Sequence, residues 1–144
     1  MFNEILVTCT GNICRSPTAE ILFRKRLAGR SIRISSAGLG ALAGRPICEG
    51  AAEILAEHGY TSASHRARQL TLMMLRRSDL ILTMNSRQRH HICSMMPESR
   101  GKVFLLGNWD AGIEIPDPYK RGRRFYEQAY GLIAKSVDSW LKYF

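Results

Sequence analysis

Residues 4–17 read EILVTCTGNICRSP. The first part is a short apolar run without helical period, the mark of a strand buried on both faces in a parallel sheet, expected here over Glu4–Thr8. The last part opens a helix. Ser16 stands as the expected N-cap, Pro17 at the first helical position, and Glu20 in the first turn, where the positive helix end suits a carboxylate. Ala19, Leu22, Phe23 and Leu27 then recur at helical spacing until Gly29. A strand, a polar loop and a helix in this order begin an α/β fold. The loop falls at the carboxyl end of the strand, where such sheets bind ligands.

The rest of the chain continues the alternation. A second strand is expected over Ile32–Ser35, followed by a glycine-rich surface loop over Ala37–Gly44. Pro46 opens a helix that buries Ile47, Ala51, Ile54 and Leu55 and ends at Gly59. A short helix over Thr71–Arg77 precedes a third strand, Leu80–Thr83. A helix over Ser86–Met96 precedes a fourth strand, Val103–Leu106. Trp109–Tyr119 reads as a loop, and a last helix over Arg123–Lys142 buries Phe125, Ala129, Leu132, Ile133, Val137, Trp140 and Leu141. This predicts one α/β domain over residues 1–144: a four-stranded parallel sheet flanked by helices, with right-handed crossovers and flavodoxin-like winding.

With 144 residues, 45% hydrophobic and 23% charged, the composition is that of an ordinary globular domain with room for a core. No apolar run approaches the ~20 residues that span a bilayer. The start Met1-Phe2-Asn3-Glu4 lacks the basic and apolar pattern of a secretory signal, so a cytoplasmic address is expected. There the four cysteines (Cys9, Cys14, Cys48, Cys93) would be reduced, and any pairing would be catalytic or redox-responsive rather than structural. A net charge of +9 suits an anionic partner: nucleic acid, membrane surface or phosphorylated protein. No nucleic-acid-binding signature accompanies it. His90, His91 and Cys93 do not have zinc-site spacing, and the two histidines read as solvent-side positions on a helix.

The chemistry concentrates in the loop. Five residues separate Cys9 from Arg15. Gly11 and Asn12 tolerate the left-handed backbone angles that let such a loop curl, so that its amides converge on one point beside a helix N-terminus. With a guanidinium at the rim this is a cradle for a tetrahedral dianion, and the same field favours the thiolate of a central cysteine. A thiolate beneath a bound phosphate is placed for in-line attack on phosphorus. Far along the chain, Asp117 sits between Pro116 and Pro118, a carboxyl on a proline-bounded loop suited to protonating a leaving phenolate.

The stretch Cys9-Thr10-Gly11-Asn12-Ile13-Cys14-Arg15-Ser16-Pro17 resembles the phosphate loop of the low-molecular-weight protein tyrosine phosphatases. The similarity extends to Ser35-Ser36-Ala37-Gly38, to His65 with Ala67-Arg68-Gln69, to Asp79–Met84, to Arg100–Val103 and to Ile115-Pro116-Asp117-Pro118-Tyr119. The wording is nearest the bacterial branch associated with capsule and exopolysaccharide tyrosine kinases. This resemblance implies a phosphotyrosine phosphatase I-like fold and hydrolysis through a phosphocysteine intermediate. By it Cys9 is the nucleophile, Arg15 holds the phosphoryl group, and Asp117 is the general acid. Thr10, Gly11, Asn12, Ile13, Cys14 and Ser16 form the loop, and Ser16 steadies the leaving thiolate. Asn12, Ser36 and His65 brace the loop, Tyr119 walls the pocket, and Leu42 is either its opposite wall or a surface leucine. The implied partner is a phosphotyrosine protein, an autophosphorylated tyrosine kinase, with no nucleic acid, no membrane insertion, no metal or other cofactor, and a monomeric chain. Relatives with the same cysteine pair close a Cys9–Cys14 disulfide, so Cys14 reads either as a redox switch or as packing.

Two positions depart from the family pattern. Asn85 stands where an acidic residue is usual, which removes a charge expected near the site. Lys120-Arg121 after Tyr119 either favours acidic residues around the target tyrosine or is a solvated basic face. Two other functions fit parts of the sequence. A thiol-linked arsenate reductase uses such a loop but needs further paired cysteines, and Cys48 and Cys93 lie far apart in sequence. A basic module that binds phosphate or nucleic acid without turnover needs neither the thiol nor Asp117.

Overall fold

Strand β1 (Glu4–Cys9) runs through the interior of the sheet because both of its faces are apolar. Ile5, Val7 and Cys9 point to one layer, where they meet Leu22, Phe23, Ala129, Ile133, Val137 and Trp140. Leu6 points the other way, to Leu75, Ile81, Ile92 and Val103. Period-two alternation with hydrophobic residues on both sides is what a sheet covered by helices on both faces requires. The computed structural model describes residues 2–144.

The elements follow as α1 (Arg15–Arg26), β2 (Arg33–Gly38), α2 (Glu49–Glu57), α3 (Leu72–Arg77), β3 (Leu80–Thr83), α4 (Ser86–Met95), β4 (Val103–Leu105) and α5 (Arg123–Trp140). The four strands are all parallel, in the order β2-β1-β3-β4. The first crossover therefore leaves β1 on one side and the second returns on its other side. That reversal opens a crevice at the carboxyl end of β1, the place where open parallel sheets hold ligands. Helices α1 and α5 cover one face, and α3 and α4 the other. Among the described residues no helix is long and apolar enough to cross a membrane.

Several local expectations are corrected. The helix after the loop starts at Arg15 with Cys14 in the cap position, and no side chain caps it; the Ser16 hydroxyl is engaged at the Cys9 sulfur instead. Glu20 lies in the second turn, where it pairs with Arg24 at 2.7 Å. Strand β2 runs on to Gly38, because its register pairs Gly38 with Cys9 at the end of β1. Phe125 is half-buried under the Arg121 guanidinium, 4.1 Å from its ring centroid, a surface cation–π pair rather than core. Leu132 and Leu141 are likewise only partly buried, packed on the rim of the core. Asn85 caps α4, its Oδ1 accepting from the Gln88 amide at 2.9 Å, a task that an aspartate would perform as well.

Candidate active site

The loop between β1 and α1 is held by its carbonyls, which all face outward onto protein donors. Cys9 O accepts from Leu39 N at 2.9 Å, Thr10 O from Gly40 N at 2.9 Å and Gly11 O from Leu42 N at 3.0 Å. Asn12 O accepts from His65 Nε2 at 2.7 Å, Ile13 O from Cys48 N at 2.7 Å and Cys14 O from Thr18 N at 3.1 Å. In a trans peptide the N–H points opposite the C=O. Turning six carbonyls outward therefore turns the following amides, Thr10 to Arg15, toward the inside of the curl. Convergent amides at a helix N-terminus form an anion-binding nest.

The glycine-rich segment after β2 supplies half of those outer donors, which explains its composition. A Cβ at Gly38 would stand 2.5 Å from Thr10 O, so only glycine lets the two loops touch. Leu42 packs over the loop, within 4 Å of where a Gly11 Cβ would be.

Asn12 is the internal strut. It is fully buried and sits at φ 57°, a left-handed conformation that asparagine accepts better than most residues. Its Nδ2 donates to Ser16 Oγ at 2.8 Å and to Ser36 Oγ at 2.9 Å, and its Oδ1 accepts from Arg68 N at 2.9 Å. Ser36 Oγ in turn donates to Glu20 Oε1 at 2.5 Å. Ser16 Oγ also lies 2.9 Å from Cys9 Sγ, and when that sulfur is ionised the hydroxyl is the donor of the pair. Both Cys9 and Ser16 are buried. A thiolate at Cys9 thus has a hydroxyl donor beneath it and the amide nest around it.

The same strut predicts a stability effect. Asn12→Ala removes three buried hydrogen bonds and leaves alanine with a positive φ. A loss of about 4 kcal/mol, or a melting temperature about 12 °C lower, is expected from a thermal denaturation scan.

Arg15 is buried, its side chain 4% exposed. Nη1 donates to Ile115 O at 2.9 Å, tying the first turn of α1 to a segment 100 residues downstream. Nη2 faces Thr10 Oγ1 at 3.5 Å and Asp117 Oδ2 at 3.6 Å. Asp117 is half exposed, and its Oδ1 accepts from the Tyr119 amide at 3.1 Å, a local turn that fixes the carboxyl between the two prolines. Tyr119 is half-buried, with Lys120 Nζ 5.4 Å from its ring centroid.

The structure thus gathers Cys9, Thr10–Ser16 and Asp117 at the carboxyl end of β1, braces them through Ser36 and His65, and sets Leu42 over the loop. Gln88 was not singled out from the sequence, Glu20 was read only as a helix-start residue, and Arg68 and Ile115 only as parts of blocks resembling the family. Gln88 donates from Nε2 to Thr10 Oγ1 at 3.3 Å, while Glu20, Arg68 and the Ile115 carbonyl complete the bracing. His90 and His91 lie exposed on α4, as read.

The family profile described as "Low molecular weight phosphotyrosine protein phosphatase" matches residues 4–144. A relative, the low molecular weight protein-tyrosine-phosphatase Wzb of Salmonella typhimurium, is 46% identical over 140 residues, covering 97% of this chain and 93% of the relative. Among solved structures, the Erwinia amylovora tyrosine phosphatase AmsI superposes with a TM-score of 0.95 at 43% identity, covering 100% of this chain and 94% of that one. Vibrio vulnificus Wzb in complex with benzylphosphonate superposes with a TM-score of 0.95 at 36% identity, covering 100% of each chain.

Proposed function

The chain belongs to the low molecular weight phosphotyrosine protein phosphatase family, and from that premise we propose that it hydrolyses phosphotyrosine in proteins through a phosphocysteine intermediate. It is a phosphoric monoester hydrolase. One observation carries the reading: six outward carbonyls turn the loop amides inward around a thiol hydrogen-bonded to the Ser16 hydroxyl, while Arg15 joins that loop to Asp117.

The reaction follows from these positions. The amides of Thr10 to Arg15 and the Arg15 guanidinium hold the equatorial phosphoryl oxygens, where charge spreads in the transition state. Cys9 Sγ attacks phosphorus in line, and the P–O bond to the phenol breaks. Asp117 gives its proton to the departing phenolate. As a carboxylate it then takes a proton from water, whose oxygen attacks the phosphocysteine and releases Cys9 as a thiolate. Ser16 donates to that leaving sulfur. Leu42 and Tyr119 form the walls along which the substrate ring slides.

The substrate assigned here is an autophosphorylated tyrosine kinase of the type that governs capsule or exopolysaccharide production, met in the cytoplasm by a monomeric enzyme. The branch resemblance and the net charge of +9 support this choice, since clustered phosphotyrosines are strongly anionic. The test compares phosphotyrosine, phosphoserine and phosphoarginine peptides in a chelator-containing buffer and traps the enzyme by rapid acid quench. Selective hydrolysis of phosphotyrosine with acid-trapped phosphate on Cys9 is expected. Hydrolysis without a trapped phosphoenzyme, or a preference for another phospho-residue, would overturn the assignment.

A further inference from the structure

Cys48 occupies the cap position of α2, and its backbone N–H donates to Ile13 O at 2.7 Å, which seats it against the outside of the phosphate loop. Next to Ile13 is Cys14, buried in a small cluster with Ile47, Ala51 and Leu55, against which Cys48 and Tyr126 pack. The two cysteines share that cluster beside the backbone bond from Cys48 to Ile13, and the Tyr126 hydroxyl lies 3.7 Å from Cys48 Sγ. Cys14 is 6% exposed and Cys48 is half-buried, so the outer thiol screens the inner one.

We propose that Cys14 and Cys48 are a redox modification site, closing a reversible disulfide when a peroxide reaches the protein. The electrostatics agree with the geometry. The neighbouring Cys14 thiol, helped by the Ala51 amide and Tyr126, outweighs burial and brings the Cys48 thiol down to about 6. Cys48, then burial, pushes the Cys14 thiol up. Cys48 is thus the thiolate that meets the oxidant. Its sulfur attacks the peroxide, an S–O bond forms, the O–O bond breaks, and water or an alcohol leaves. Cys14 Sγ then attacks the sulfenic sulfur, losing its proton. The S–S bond forms, the S–O bond breaks, and a second water departs. Two thiols are oxidised and one peroxide is reduced, and an external thiol reverses the bridge by exchange.

The pairing makes Cys48 a competitor of Cys9 for Cys14. While Cys14 is bridged to Cys48 it is unavailable to the nucleophile, and Cys9 stays a free thiol. This inference does not depend on the phosphatase assignment, because its readout is a cross-link.

The test oxidises the protein with one equivalent of hydrogen peroxide, alkylates the remaining thiols and maps non-reduced peptides by mass spectrometry. Cys9 and Cys14 share one tryptic peptide, since cleavage falls after Arg15. The Cys9→Ser variant is therefore run beside the wild type. A Cys14–Cys48 cross-link reversed by dithiothreitol is expected in both, with complete loss in Cys48→Ser. Failure to find it in Cys9→Ser, or Cys14 bridged only to Cys9 in the wild type, would overturn the proposal.

Discussion

Cys9→Ser is expected to lower kcat for p-nitrophenyl phosphate by at least about 10⁴-fold while leaving the protein folded and able to bind inorganic phosphate. The two halves of this expectation come from different parts of the site. Turnover needs a sulfur that can be held as an anion at the focus of the nest, and a serine hydroxyl at the same place is a far weaker nucleophile at neutral pH. Phosphate binding needs only the inward amides and Arg15, whose anchors do not pass through Sγ. The outward carbonyls keep their donors from Leu39, Gly40, Leu42, His65 and Cys48, and Arg15 keeps Ile115. A titration with phosphate should therefore give a Kd within a fewfold of the wild type. Residual turnover near wild-type rates would remove Cys9 from the mechanism. Loss of phosphate binding together with activity would mean that the thiol is part of the scaffold.

What could be read from the chain divides by the range of the contacts involved. The unit from Glu4 to Leu27 was legible because a doubly apolar strand, a curl-permitting Gly11-Asn12 and a helical stripe each leave a local signature. So were β3 and α3, bounded by capping and turn residues such as Thr71, whose Oγ1 accepts from Met74 N at 3.2 Å. Ser16 shows where a local rule loses. Serine followed by proline is a helix-start signal, but the hydroxyl gains a better partner in the Cys9 sulfur, and the helix starts two residues earlier. Glu20 was placed by the same rule and found its partner in Ser36, on the neighbouring strand.

Gln88 and Cys48 left no local trace, because each acquires its role only when distant segments meet. Cys48 is the plainest case. In the sequence it is one of two isolated cysteines, and only the packing of α2 against the loop brings it to Cys14. Cys93, the other, packs on the opposite side of the sheet with Leu39, Met74, Met95 and Met96. The separation of Cys48 and Cys93 argued from sequence thus holds, although Cys48 turns out to lie beside the site.

Asp117→Asn is expected to lower kcat by about 10²–10⁴-fold on a phosphotyrosyl peptide and by much less on p-nitrophenyl phosphate. A tyrosine phenolate is a poor leaving group unless it is protonated as the P–O bond breaks, whereas p-nitrophenolate departs with little help. Asparagine preserves the size of the side chain and can still accept from the Tyr119 amide through Oδ1, so the loop should keep its shape. It has no proton of the right acidity to give. The leaving group separates this role from a positional one. If Asp117 served only to pair with Arg15 at 3.6 Å, the variant would raise KM equally for both substrates. A leaving-group-independent loss would therefore assign the proton to another donor.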